Sequence, residues 1–544
     1  MNGDALKTVQ WIHTTSGPCT PYEFLLHCHE TEYALDLDRP GFEVGAQFRF
    51  LLSMVALAVR EEIPESARPG GRITRDQAER LVETGFTESA VAAAYEKVAP
   101  YANLRDAERP FMQRPRLEPT SPKDSSRRLG RNDHPVKKLS PAMPSDEGED
   151  YWNLLVSFPE VLTEAAATLL LVVNHYYSLA GNNNYDGDKA QMGAPGIRFL
   201  GKGNAATEFW WQEDEQIPLA SMLTSIPQNW IPGEILPAWA ERDPKKAREG
   251  LEFAPLWAAT WSSNTAVGFW EGEELTGVRV GGIPTSWWPV NASDKSGKAL
   301  LKQWWDTRNE ADPLYLYVAN DKNELKAQRI DFGRDGTDLA VEWTAEEKMR
   351  ALTESTEQNL LPTSGADRRP IFLRHQLEGT ASSPSIRASE VFFPDDTVWA
   401  FDVPEEAIFA VVDAAQIIRE VHSIFRGRFR RHSSQDSKRE QSSGRLTPIL
   451  DALADAQPDA SAEFWREVTA TYEDFLDSAR QGQPDVETLL HGLHRSALLA
   501  YDRVTHPYLD QHSAEIYYTR SALSRIIRAK LREKYPVFDE ELKG

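Results

Sequence analysis

GAQFRFLLSMVALAVR, residues 45–60, is the stretch that decides the fold of this 544-residue chain. Between residues 48 and 59 only Arg49 and Ser53 interrupt the apolar run, which predicts a helix buried on nearly all sides. The run is too short to span a bilayer, which needs about 20 apolar residues. We therefore predict a core helix in a cytoplasmic protein without a membrane segment.

Further helical patterns lie on either side of this stretch. Residues 20–60 as a whole, residues 74–100 and residues from about 163 to 177 all show helical spacing of apolar side chains. Residues 114–150 differ, because they are rich in Pro, Ser and charge and lack periodicity. This composition predicts a long mobile loop.

The middle of the chain and its C-terminal part predict different architectures. Short aromatic and β-branched runs predict strands at 257–270, 278–288, 315–318 and 371–373. After Pro404, helical periodicity predicts helices at 404–431, 446–454, 461–480, 485–504 and 513–534. The predicted fold class is α+β, with a large mixed α/β N-terminal domain at 1–395 followed by a C-terminal antiparallel four-helix bundle at 400–544.

The charge balance limits how this chain could bind nucleic acid. With 60 Lys and Arg against 83 Asp and Glu, its formal net charge is −23. A protein that bound nucleic acid over its whole surface should be basic, so any such role needs local patches or basic partner subunits. One tract is locally basic, and it can contact phosphates or simply form a solvated helix end. Its cations are Arg419, Arg426, Arg428, Arg430, Arg431, Lys438, Arg439 and Arg445.

The sequence contains no recognisable catalytic motif. It lacks a phosphate-binding P-loop, a dinucleotide fingerprint, HExxH, GxSxG and the kinase signatures. Cys19 and Cys28 lie near His27 and His29, but no second ligand pair follows, so we predict a packed helix and neither metal nor cofactor. A binding protein is favoured over an enzyme, and an enzyme with a site built from scattered residues is kept as the alternative.

Five blocks in order resemble the CasA family, the large subunit of the type I-E CRISPR surveillance complex, Cascade. Together they span roughly residues 10–535. The blocks are residues 45–60; AERPFMQ, 107–113; KKLSPAMPSDEGEDYWNLL with LTEAAATLLLVVNHYYS, 137–178; LPAWAERDP with PLWAATWSSNTAVGFWEGEELTGVRV, 236–280; and AEFWREV, 462–468.

This resemblance implies a non-catalytic subunit of an RNA-guided antiviral complex. Such a subunit reads a protospacer-adjacent motif (PAM) in double-stranded target DNA and helps to open the duplex. Its implied partners are the other Cascade subunits, the CRISPR guide RNA and a recruited helicase-nuclease. The large subunit of another type I subtype is the nearest alternative.

The resemblance also places the expected DNA contacts. The family's glycine loop falls on GNNNYDG and implies that Gly181, Asn182, Asn183, Asn184 and Gly187 approach the minor groove, although a plain surface turn is equally compatible. Arg279 takes the position of the family's minor-groove lysine, unless it is an ordinary strand arginine paired with a carboxylate.

Three further sets of residues complete the expected contacts. The wedge hairpin has its tip at Gly379, Thr380, Ala381 and Ser382, without the family's usual Gln or Asn. Trp152 takes the place of an aromatic residue in the mobile loop. The basic tract is a candidate for contact with the DNA backbone through Arg426, Arg428, Arg430 and Arg431.

Overall fold

The structure is a computed structural model. It describes the chain in segments, and predictions that fall between them lie outside the described residues. These segments are 3–118, 135–142, 158–179, 184–185, 188–189, 193–201, 204–213, 216–250, 252–291, 295–320, 322–363, 368–380 and 383–536.

Helices and strands are named in chain order over these segments. The helices are α1 (Pro21–His27), α2 (Gly41–Glu62), α3 (Arg75–Thr84), α4 (Glu88–Val98), α5 (Glu164–Tyr177), α6 (Pro218–Ser225), α7 (Pro255–Thr260), α8 (Lys295–Glu310), α9 (Thr337–Ala345), α10 (Lys348–Glu354), α11 (Glu405–Arg426), α12 (Ser434–Ser443), α13 (Gln457–Arg480), α14 (Val486–Thr505) and α15 (Leu509–Lys534). The strands are β1 (Ile12–Thr14), β2 (Gly17–Cys19), β3 (Asn184–Tyr185), β4 (Asp188–Lys189), β5 (Phe199–Gly201), β6 (Asn204–Ala205), β7 (Glu208–Glu213), β8 (Arg248–Glu249), β9 (Glu252–Phe253), β10 (Asn264–Glu271), β11 (Glu274–Gly282), β12 (Tyr317–Ala319), β13 (Leu325–Ala327), β14 (Arg368–Thr380) and β15 (Ser383–Phe392).

The chain folds into two compact units. Unit 1 comprises residues 1–332 and 353–393, and unit 2 comprises residues 333–352 and 394–544. The segment 333–352, which includes α9, thus belongs with the C-terminal helices, whereas the sequence predicts a single division near residues 395–400. Trp343 of α9 lies 5.8 Å from Trp399, ring centroid to ring centroid, within unit 2.

Helix α2 is the core of unit 1. It is long and apolar enough to cross a membrane, because it extends beyond the apolar run on both sides. However, 94% of its most apolar 18-residue window is buried inside the protein, so it is accounted for as a core helix. The predicted buried helix is confirmed, and it packs against α4, α5, α6 and β14.

A glycine allows α2 and α5 to approach closely. A Cβ atom on Gly45 would lie 1.9 Å from the hydroxyl oxygen of Tyr177 and 2.7 Å from a methyl of Leu373. Because both neighbours are fully packed in the core, there is no space for a larger residue. The absence of a side chain at position 45 therefore sets the distance between α2, α5 and β14.

A buried ionic cluster lies beside this contact. Arg49 Nε is 2.6 Å from Glu208 Oε1, and Arg49 Nη1 is 3.0 Å from Asp312 Oδ2. The Tyr177 hydroxyl donates to Glu208 at 2.5 Å, and burial raises the pKa of Tyr177 well above its ordinary value. His375 Nε2 lies 3.5 Å from the same carboxylate. The cluster joins α2, α5, β7, β14 and the segment after α8.

Several predicted elements differ from the observed ones. The predicted helical stretch 74–100 is two helices, α3 and α4, because Gly85 between them has φ of 69°, a left-handed value. The predicted strand at 257–270 begins with helix α7, which Pro255 starts, and only the later part forms β10. Short apolar runs fit either structure, and here proline decides in favour of helix.

Unit 1 contains one larger sheet among its described strands. Its order is β15-β14-β6-β5, and β7 also pairs with β14. Strands β14 and β15 form a long antiparallel hairpin, in which Phe372 pairs with Phe392 at the base and Thr380 with Ser383 at the far end. Strands β10 and β11 form a separate antiparallel hairpin.

Unit 2 is helical in its described residues. Helices α11, α13, α14 and α15 pack on one another, as the predicted four-helix bundle requires. Their inward faces are apolar, with Val411, Phe464, Leu493 and Ile527 all buried. The predicted α+β fold with a C-terminal helical region is confirmed, and α12 is an additional helix that the periodicity does not reveal.

Replacement of the buried arginine tests the ionic cluster. Arg49→Leu should lower the free energy of unfolding by about 3–5 kcal/mol, because two buried carboxylates lose their cation. Urea titration followed by tryptophan fluorescence measures this change. The matched control is Arg75→Ala, which breaks an exposed pair with Glu79 and should cost less than about 1 kcal/mol. Equal losses for both variants would contradict the importance of the cluster.

Candidate nucleic-acid interface

Arg279 lies in the middle of β11, opposite Val267 of β10. Its side chain is half-buried, and this burial lowers the pKa of the guanidinium below its ordinary value. The group nevertheless stays charged at neutral pH, because arginine titrates far above it. The Tyr185 phenol opposes this shift and favours a higher pKa for Arg279, so the two side chains are neighbours.

Tyr185 belongs to the short hairpin of β3 and β4, which packs against β11. Asn184 begins this hairpin and pairs through its backbone with Lys189. Tyr185 is 1% exposed, and its hydroxyl accepts a hydrogen bond from the Leu117 amide at 2.9 Å. The structure thereby brings Asn184 and Arg279 onto neighbouring strands. Gly181, Asn182, Asn183 and Gly187 lie outside the described residues.

Two further arginines lie in this region, one against the β3–β4 hairpin and one against β10, and sequence reasoning missed both. Arg114 Nη1 is 3.0 Å from Asp188 Oδ2 and donates to the carbonyl of Gly282 at 3.2 Å. Its guanidinium also lies 5.0 Å from the centre of the Tyr185 ring. Arg116 lies over Phe269 of β10 at 4.9 Å, and its side chain is 54% exposed. The AERPFMQ block of the family resemblance directly precedes both arginines, and it is the feature of the sequence that could have identified them.

A short segment joins this region to the long β14–β15 hairpin. Residues Val136–Leu139 form a 3₁₀ turn that packs against β11, and the carbonyl of Pro141 accepts a hydrogen bond from the Ile386 amide of β15 at 2.8 Å. Of the predicted tip, Gly379 and Thr380 end β14, whereas Ala381 and Ser382 lie outside the described residues. Trp152 lies outside them as well.

The basic tract divides into structural and exposed cations. Arg428 donates to the carbonyls of Ile424 and Pro448, at 3.2 and 3.0 Å. Arg430 makes two hydrogen bonds to Asp436, at 2.5 and 2.8 Å. Asp436 also completes a capping box with Ser433 at the start of α12. Arg428 and Arg430 therefore hold the end of α11 against the following turn.

Arg426 and Arg431 remain exposed. Arg431 makes long contacts of 3.3 and 3.4 Å with the two carboxylate oxygens of Asp455, and both side chains are largely in solvent. Such pairs contribute little to stability. Phosphate contact at this tract is thus better tested at these two positions than at Arg428 and Arg430.

No group of three or more His, Cys, Asp or Glu side chains is arranged to hold a metal ion in the segments that the structure describes. Cys19 and Cys28 are both buried and unpaired, and burial raises the pKa of the Cys19 thiol to about 12. A thiol protonated at neutral pH is a poor metal ligand. These cysteines pack in the core of unit 1.

The sequence profile of the family described as CRISPR-associated protein Cse1 matches residues 11–336. The chain belongs to this family. No curated protein sequence matches the chain.

Solved structures share the fold over almost the whole length. Thermus thermophilus CasA (Cse1) is 15% identical, with a TM-score of 0.58, and the match covers 98% of this chain and 100% of that chain. Thermobifida fusca Cse1 is 13% identical, with a TM-score of 0.58 and coverages of 99% and 100%. A chain of a CRISPR RNA-guided surveillance complex is 13% identical, with a TM-score of 0.60 and coverages of 96% and 99%. The predicted resemblance to the CasA family is confirmed.

The pairing of Arg430 with Asp436 predicts a pH-dependent contribution to the stability of this Cse1 family member. Hydrogen bonds from Arg430 and Ser433 hold the pKa of Asp436 well below its ordinary value of 3.8. A carboxyl whose pKa is lowered by folding adds stability above about pH 4, and this is lost as the pH falls further. Arg430→Gln should therefore lower the Tm by about 2 °C at pH 7 and by progressively less towards pH 3.

Thermal unfolding followed by circular dichroism measures this difference, with Arg431→Gln as the matched control. The control removes the same charge from the exposed pair with Asp455 and should leave the Tm nearly unchanged. A Tm difference for Arg430→Gln that does not vary with pH would contradict the assigned role.

Proposed function

We propose that this chain is the large, non-catalytic subunit of a type I-E Cascade complex, acting in the cytoplasm. In this role it recognises PAM in double-stranded DNA, helps to open the duplex for the guide RNA and helps to recruit a separate helicase-nuclease. Its partners would be the other Cascade subunits and the guide RNA. Membership of the Cse1 family supports the proposal, as does the likeness to a chain of an RNA-guided surveillance complex.

The observation that carries the PAM proposal is the packing of the β3–β4 hairpin, which begins with Asn184, against the strand that bears Arg279. A short Asn/Gly loop lets backbone approach the minor groove, and arginine suits a narrow groove of negative potential. Arg116 adds a second, more exposed guanidinium nearby. These few contacts fit a protein that reads a short motif while base pairing with the guide reads the remaining sequence.

Duplex opening is assigned to the far end of the β14–β15 hairpin, at Gly379 and Thr380. The Pro141 carbonyl ties β15 to the segment that packs on β11, so the same short segment supports both the hairpin and the strand of Arg279. A hairpin supported in this way could enter between the first base pairs after the motif is bound. The proposed action is mechanical and needs no catalytic group.

Arg279→Ala tests the proposed PAM reading in the assembled complex with its guide RNA. A duplex library with randomised bases beside the target identifies the motif, and binding to duplexes with and without it is then compared. Loss of Arg279 should weaken binding to the motif-bearing duplex by about 5- to 100-fold and change binding to the other duplex little. Arg279→Lys keeps the cation and should retain most of the preference.

The matched control is Lys302→Ala, which removes an exposed cation that pairs with Asp306 on α8. It should leave the motif preference intact. If Arg279→Ala lowered the affinity for both duplexes equally, Arg279 would be a phosphate contact only, and its proposed role would be overturned.

A nuclease assay tests the proposed absence of catalysis. The purified chain, incubated with Mg²⁺ or Mn²⁺ and with single- or double-stranded DNA, should leave both substrates uncut. Cleavage that co-elutes with the chain and is abolished by chelation would favour the enzyme alternative.

A further inference from the structure

The outward face of α15 is basic and aromatic, although the whole chain is acidic. Residues three or four positions apart lie on the same side of a helix. The buried side of α15 carries Ile516, Leu523, Ile527 and Leu531. The opposite side, called the α15 face below, carries Tyr517, Tyr518, Ser521, Arg525, Arg528 and Arg532.

The rings and two of the three cations of the α15 face are accessible, whereas Arg528 is half-buried. Tyr517 is 61% exposed and Tyr518 is 51% exposed, and Arg525 is exposed as well. From residue 517 to residue 532 the face extends about 22 Å along the helix axis. Single exposed apolar residues are ordinary, but adjacent ones form a patch, and such patches tend to mark interaction sites.

Several carboxylates close to this face are already paired with basic side chains outside it. Glu515 pairs with His512, and Glu533 pairs with Lys530, which also contacts Glu420 of α11. Asp502 of α14 is held by Arg520 through two hydrogen bonds of 2.6 and 2.7 Å. Each of these four carboxylates thus lies beside a basic side chain that is not part of the face.

The α15 face continues onto the loop after α12. The Tyr518 hydroxyl donates to the carbonyl of Leu446 at 3.3 Å, and Leu446 is 72% exposed. Arg445 precedes it and Arg439 lies in α12, and both are exposed. The tyrosine end of the face therefore lies beside a second group of cations from the basic tract.

We propose that the α15 face binds single-stranded DNA. Its guanidinium groups would contact phosphates, and Tyr517 and Tyr518 would stack against unpaired bases, a combination that recurs in proteins that hold single strands without sequence preference. Duplex DNA would use the cations but not the rings, because its bases are already stacked. The proposal rests on the proposed function only for the source of the strand, which an opened target duplex would supply.

The test uses the purified full chain and a fluorescein-labelled 20-nucleotide oligothymidine, with binding followed by fluorescence anisotropy. The double variant Tyr517→Ala/Tyr518→Ala should weaken binding at least about fivefold, because stacking is lost. Tyr517→Phe/Tyr518→Phe keeps both rings and should bind nearly as the native chain does. Arg525→Ala should reduce the slope of log affinity against log salt concentration by about 0.7, as expected for one lost phosphate contact.

Arg466→Ala is the matched charge control, because Arg466 is an exposed arginine on α13 paired with Glu463. It should leave oligothymidine binding unchanged, and circular dichroism confirms that every variant is folded. Equal affinity of the native chain and the Tyr→Ala variant would overturn the proposal. It would also be overturned if the variants bound oligothymidine normally but failed to assemble with the other Cascade subunits, since the face would then be a protein interface.

The outcome can be separated from that of the proposed function. Oligothymidine carries no PAM, so Arg279→Ala should not change its affinity for the chain. Conversely, Arg525→Ala should not change the preference of the complex for motif-bearing over motif-free duplex. Loss of one property without the other would show which of the two proposals has failed.

Discussion

The contact of Arg49 with Glu208 and Asp312 is the constraint on which the arrangement of unit 1 depends. Removing three charges from water is costly, so the cluster is tolerated only where its hydrogen bonds are complete. Arg49 lies on α2, Glu208 begins β7, and β7 pairs with β14 along Arg368–Leu373. The buried pair of Arg49 and Glu208 therefore fixes the position of β14 at the base of the β14–β15 hairpin. Backbone pairing between β14 and β15 then positions the far end at Gly379 and Thr380.

The acidic net charge and the proposed DNA contacts are compatible because the relevant arginines are held individually. Arg116 lies over Phe269, and the buried Arg114 holds the hairpin beside Arg279 through Asp188 and the Tyr185 ring. Arginines held in this way lose little conformational freedom on binding, so few of them suffice. A surface that is acidic elsewhere also disfavours unspecific adhesion to duplex DNA, which leaves the short contact to determine where the chain binds.

The sequence predicts the parts of the fold whose signals are local and long. Helix α2, α5 and the bundle helices follow from apolar periodicity, and their buried faces are those that the periodicity indicates. Apolar periodicity does not predict short elements such as α7, because a six-residue apolar run fits a helix or a strand. It also cannot place α9 with the C-terminal helices, because Trp343 meets Trp399 only through tertiary packing. For the candidate site, Asn184 and Arg279 came from the family resemblance, whereas Arg114 needs Asp188, 74 residues later, to have a role.

In unit 2, a high number of arginines in one stretch of sequence indicates a binding surface less well than arginines that share one face of a helix. The tract 419–445 is conspicuously basic in the sequence. However, Arg428 and Arg430 form hydrogen bonds that stabilise the end of α11 and the start of α12. Ser433 and Asp436, three residues apart, form a capping box that is readable without a structure, and the pairing of Arg430 follows from it. On α15, Arg525, Arg528 and Arg532 are spaced by three or four residues, so they lie on one side of the helix. Helical spacing, rather than the number of charges, separates a surface able to follow a polyanion from a cluster that stabilises its own turn.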